Sequence, residues 1–221
     1  LPQTKWTTFY LSGPGGIADR KGELVPSAPG AQPPDTYIYD PAFPAPSLGG
    51  HSCCGAQSGP QGPFDQTPVE QRSDVLVYDS APMQHDTEIT GPITVQLWAK
   101  SSAVDTDFTA KLTVVKRDGR VINLNNGILR TAFRDSLSAP TPTVAGRAYN
   151  YRIQIWPTSY EFRAGDRIGL EVSSSDYPQF APNPNTGAPF GQDSTVQPAT
   201  QTILHDDQHP SSITVPVIPG S

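Results

Sequence analysis

Few residues of this chain have types and spacing that could support chemistry: four histidines, two adjacent cysteines and a pair of aspartates two apart. His205 and His209 in the run HDDQH stand four apart, the spacing that lets two imidazoles share a metal on one helix face. That geometry needs a helix. Pro210 follows, and the apolar residues upstream alternate as a strand would, so the run is expected to be a solvated turn beside the last strand, without a metal. Asp105 and Asp107 in DTD could serve calcium as oxygen ligands, but two carboxylates fall short of the ~6–8 oxygens that calcium takes. The expectation is structural: these acids bond loop amides or pair with Arg72 or Arg130, in a polar network that also includes Asp74. Cys53 and Cys54 are the only cysteines. Adjacent residues bridge only through a strained ring and two sulfurs are too few for zinc, so reduced thiols tucked under a loop are expected.

Nucleophilic catalysis has no visible apparatus. A nucleophile elbow needs Gly-x-Ser-x-Gly on a strand-to-helix turn. The nearest run, Gly50-His51-Ser52-Cys53-Cys54, lacks the last glycine and has no strand or helix flanking it. A triad assembled from distant residues would have to draw on His51, His85, His205 or His209, each of which reads more simply as a surface or packing residue. No catalytic residue and no cofactor are expected in this chain.

The elements that must position these residues are strands. Ile93, Val95, Leu97 and Ala99 alternate with Thr94, Gln96, Trp98 and Lys100, the period-two pattern of a half-buried strand. Phe108, Ala110, Leu112 and Val114 repeat it, as do Tyr149, Tyr151, Ile153 and Ile155, then Ile168, Leu170 and Val172. Leu97, Leu112, Ile153 and Leu170 are the expected core. Asp118-Gly119 reads as a tight turn, and Asn125-Asn126-Gly127 as a second turn signal. Shorter strands are expected at 5–11, 36–39, 74–79, 128–134, 202–205 and 212–217, with loops at 12–35, 41–68 and 178–199. There is no convincing amphipathic helix and no internal repeat. Loops of this length in a compact domain are usually functional or pressed against something.

About ten short strands with long excursions predict an all-β, jelly-roll-like β-sandwich, with residues 1–221 as one domain. The chain has 19 glycines and 25 prolines among 221 residues, which suits a turn-rich fold. A formal charge of -6 argues against nucleic acid or an anionic membrane as partner. No apolar run reaches the ~18 residues of a membrane span. The sequence begins at Leu1 without an initiator Met, so a processed or excised segment is expected and the compartment is left open.

Collinear motifs cover nearly the whole chain: Trp6 with FYL at 9–11, YIYDPAFPAPSLGG at 37–50, DQTPVEQRSDVLVY at 65–78, GPITVQLWAKSSAVDTDFTAKL from Gly91, DGRVINLNNGILR, YRIQIWPTSYEFRAGDRIGLEVSSSDYPQF, NPNTG and HDDQHPSSITVPVIP at 205–219. In order and spacing they resemble the C-terminal domain of the cocaine esterase, α-amino-acid ester hydrolase and X-Pro dipeptidyl-peptidase (CocE/NonD) superfamily of serine hydrolases. The resemblance implies a galactose-binding-like jelly roll following an α/β-hydrolase domain and its helical cap in the same polypeptide, with the triad in the hydrolase domain. It also implies that the residues after the Gly-Gly of the YDP…GG motif, here His51, Ser52, Cys53 and Cys54, look toward the acyl pocket. A homo-oligomer is compatible with this reading. One alternative is a carbohydrate-binding module, which would need Trp6, Trp98 and Trp156 as an exposed platform, although each sits in or beside a strand with apolar neighbours. The other is a free-standing hydrolase or metalloenzyme.

Overall fold

The computed structural model describes residues 1–15, 22–51, 59–189 and 191–219. Eleven strands are formed among the described residues, in chain order β1 (Lys5–Ser12), β2 (Gly22–Val25), β3 (Asp35–Tyr39), β4 (Leu76–Ser80), β5 (Thr87–Ser101), β6 (Asp107–Val115), β7 (Val121–Arg130), β8 (Tyr149–Phe162), β9 (Arg167–Ser173), β10 (Ala199–Leu204) and β11 (Ser212–Ile218). A one-turn helix, α1 (Thr67–Glu70), precedes β4. No helix among the described residues is long and apolar enough to cross a membrane.

Strand β5 organises the sheet. One edge pairs with β8 along almost its full length, and the other carries β11 and then β10, antiparallel and end to end. Pairing continues from β11 through β1, β2, β4, β9 and β6 to β7, with β2–β4 the parallel step. The sheet folds back until β7 lies across β8 without pairing to it. A Cβ on Gly127 of β7 would collide with the carbonyl oxygen of Gln154 on β8, so glycine sets this close approach. The result is a β-sandwich. Its main core takes side chains from both layers, and Leu97, Leu112, Ile153 and Leu170 are fully buried in it.

Several expectations are corrected by the structure. The 12–35 loop contains β2, and 128–134 is not one strand, because β7 ends at Arg130 and Thr131–Phe133 forms a 3-10 turn. Asp118-Gly119 does turn the chain between β6 and β7, with Gly119 at φ 87°. Asn125-Asn126-Gly127 does not turn. It lies inside β7 at a register shift, where Thr113 faces Asn123 but Leu112 faces Asn125, so β7 holds one extra residue. Nor is β6 half-buried: Thr109, Lys111 and Thr113, on the face opposite Leu112, are buried too.

Candidate functional site

Residues 41–51 and 59–75 bring Ala45, Leu48, Val69 and Val75 over the polar face of β9, β6 and β7. Ala45, Val69, Val75 and Val77 form a small second core there, with Leu48 packed against it. Beneath it, pairing aligns Glu171 of β9 with Lys111 of β6 and Asn126 of β7 in one row across three strands. A cavity of about 10 Å³ separates this row from Val69 and Val75, about the space of one water.

Lys111 is the cation at the centre. Its Nζ lies 3.5 Å from Glu171 Oε2 and 3.4 Å from Asp176 Oδ1, and it donates to Gln66 Oε1 at 3.1 Å. Burial works against its charge, but Glu171 and Asp176 outweigh this and hold its pKa above the ordinary lysine value. Burial pushes the carboxyl of Glu171 up to about 7, against the pull of Lys111, and the charges of Glu70 and Asp176 add to the rise. Two acids, Glu171 and Asp176, thus flank one ammonium, and Glu70 adds its charge beside Glu171.

Two arms leave this centre toward one loop. The first is Gln66, fully buried at the start of α1, where Pro68 fits the first helical turn. Its Nε2 donates to Leu48 O at 2.7 Å and to Phe64 O at 3.0 Å, so one side chain holds both limbs of the chain that leaves at Leu48 and returns at Phe64. Between those limbs Gly50 and Gly62 exchange reciprocal N–H···O bonds of 2.9 Å, closing a neck. Glycine is required there: Gly50 and Gly62 have φ of 115° and 91°, and a Cβ on Gly49 would strike Gly62 O and Asn123. Asn123 accepts from Phe64 N at 2.7 Å and donates to Gly62 O at 3.2 Å.

The second arm runs through Asp176, which accepts a short hydrogen bond from Asn126 Nδ2. Asn126 and Gln179 then exchange side-chain amide bonds of 2.9 and 3.2 Å. Gln179 Nε2 reaches His51 Nε2 at 3.3 Å, and Gln179 N donates to Ser47 Oγ at 3.2 Å. The bulge in β7 makes both arms possible. Strict period two would send Asn123 and Asn126 to opposite faces, whereas the extra residue turns both toward the loop. His51 lies at the neck with its ring 5.1 Å from that of Trp156.

Of the residues after Gly-Gly, His51 is therefore placed at this neck, while Ser52, Cys53 and Cys54 lie outside the described residues. Arg72 forks onto Asp74 with two 2.8 Å bonds and donates to Phe43 O. Asp105 and Asp107 meet Arg130 and not Arg72: Arg130 Nε lies 3.0 Å from Asp107 and 3.9 Å from Asp105, and Asn183 bridges the two acids. Burial raises the pKa of Asp107, against the pull of Arg130. A groove of about 300 Å³ opens beside Asp105 and Arg130, walled by Phe133, Pro140 and Pro189.

His205 is not in a solvated turn. It is buried after β10, with Nε2 2.9 Å from Asp35, whose same oxygen also accepts from Tyr78 OH and Gly15 N at 2.7 Å. His209 instead bonds Asp206 and stands edge-on to Trp98. Among the described residues no group of three or more His, Cys, Asp or Glu side chains is placed to hold a metal ion. Trp6 and Trp156 are exposed, on the outward face where Thr8, Thr214, Thr94 and Gln154 form a cross-strand row. Sequence reasoning missed Lys111, Gln66, Asn126, Asp176 and Gln179, and placed Trp156 among apolar neighbours. The usable signal was the excess of asparagine in INLNNG inside an otherwise apolar strand.

The family described as X-Pro dipeptidyl-peptidase C-terminal non-catalytic domain matches residues 1–214. Cocaine esterase of Rhodococcus sp. (strain MB1 Bresler) is 42% identical over 222 residues, which is 99% of this chain and 38% of that protein. An aminopeptidase from a marine sediment Thaumarchaeota archaeon superposes with a TM-score of 0.85 at 26% identity, over 98% of this chain and 37% of its own. An α-amino acid ester hydrolase superposes with a TM-score of 0.83 at 27% identity, over 96% and 36%. The chain thus spans little more than a third of the length of these relatives.

Proposed function

Because the chain belongs to the X-Pro dipeptidyl-peptidase C-terminal non-catalytic domain family, we propose that residues 1–221 are one domain of a larger serine hydrolase of the esterase, acylase or dipeptidyl-peptidase type. In this reading the domain packs on the α/β-hydrolase and cap domains of the same polypeptide, and the loop beginning at His51 walls the substrate pocket. Its contribution is positioning and exclusion of water, not bond-breaking.

The observation that carries the reading is the glycine-closed neck that presents His51 against the exposed ring of Trp156. A neck pinned by side-chain amides fixes where His51 stands, as pocket discrimination requires. Phe43 and Phe64 on the 41–68 segment are exposed as well, and Trp6 stands on the same outward face as Trp156, apolar surface that a partner domain would cover.

The test is made in the full-length enzyme. Replacing Cys53 and Cys54 together with Phe fills space that a bulky acyl group would occupy. Rates on branched and aromatic acyl esters should fall about tenfold or more relative to the shortest ester. Unchanged relative rates would remove the loop from the pocket.

A further inference from the structure

We propose that Asn126 and Gln179, anchored through Asp176 on the buried Lys111, are positioning residues that hold His51 and the neck at the base of the substrate-pocket wall from inside the accessory domain. The inference rests on the wall reading above and extends it to residues with no place in the loop itself.

The argument is one of connectivity and burial. The neck is closed by a single pair of backbone bonds, Gly50 to Gly62, and glycines resist neither rotation nor slippage. What fixes His51 laterally is therefore side-chain chemistry. Gln179 spans the gap: its backbone holds Ser47 on the outgoing limb while its side chain reaches His51. An amide is free to rotate unless both ends are engaged, and the reciprocal pair with Asn126 engages both. Asn126 is in turn buried and held by Asp176, which draws on Lys111. Gln66 ties the same ammonium to the two limbs of the loop. One cation, fixed on the central strand β6, thus holds the neck from two directions.

The experiment compares four variants of the full-length enzyme that carries this domain: Gln179→Ala, Asn126→Ala, Lys111→Met and the Cys53→Phe/Cys54→Phe wall variant. Lys111→Met carries a folding penalty of its own, so the half-exposed Gln179 supplies the deciding substitution. Gln179→Ala should change the ratio of kcat/KM between bulky and small acyl esters by about tenfold, because small displacements of a positioning element are amplified in rate. The change should fall on KM for the bulky ester, with kcat on the smallest ester kept within about twofold. A shifted ratio in the wall variant, with an unmoved ratio in both Gln179→Ala and Asn126→Ala, would overturn the inference and leave the wall reading standing. An unmoved ratio in the wall variant as well would overturn both.

Discussion

Lys111→Met is expected to cost the folded chain about 3–5 kcal/mol, the largest loss of any single substitution considered for this molecule. Methionine matches the length of the lysine stem, so the penalty is electrostatic: Glu171 and Asp176 would stay buried while losing their common cation. Gln66 Oε1 would lose its donor too. Combining Lys111→Met with Glu171→Gln should restore part of the loss, because the neutral amide no longer needs a counter-charge. Urea unfolding of the two variants measures this. A loss below about 1 kcal/mol for Lys111→Met would show that the cluster is solvated and not buried.

The second large effect is a pH dependence centred on Glu171. Burial raises its carboxyl from the ordinary 4.5 to about 7, so between these values the folded chain binds more protons than the unfolded one. Folding stability must therefore fall as pH rises through this window, with a slope no steeper than about 1.4 kcal/mol per pH unit. Lys111 keeps its proton throughout, since its own pKa is held up by the same acids. Glu70 and Asp176 also face Glu171 and repel its charge. Glu171→Gln should remove this slope, so the variant gains on the parent chain steadily from pH 4.5 to 7. Parallel stability profiles across that range would contradict the assignment.

Much of the fold was legible because alternation reports burial directly. The faces holding Leu97, Leu112, Ile153 and Leu170 follow from period two alone, and Asp118-Gly119 announces a turn that only positive φ permits. The buried polar row was not legible, for a physical reason: Thr109, Lys111 and Glu171 alternate with apolar residues as solvent-facing side chains do, and nothing local says that Ala45, Val69 and Val75 will cover them. The described part of the segment read as a loop packs over these strands through Ala45 and Leu48, as the length of the excursion had hinted. Asn125-Asn126-Gly127 misled in a related way. Residues that tolerate turns also tolerate bulges, and the choice between them depends on the partner strand. His205 read as part of a solvated turn because Pro210 follows and the residues upstream alternate, yet it is buried and bonded to Asp35, 170 positions away. The motifs themselves carried the family, while the neck glycines and their amide partners became visible only once strands distant in sequence were paired.

In the proposed reading the described surface of 41–51 and 59–68 and the Trp156 edge lie against the rest of a larger enzyme. Hydrogen–deuterium exchange tests it most directly, by comparing the isolated chain with the full-length protein. Slower exchange is expected in the full-length protein for the amides of 41–51, 59–64 and the β8 segment around Trp156, with β6 unchanged, because β6 is buried in either form. Identical exchange of those loop and β8 amides in the two proteins would contradict it.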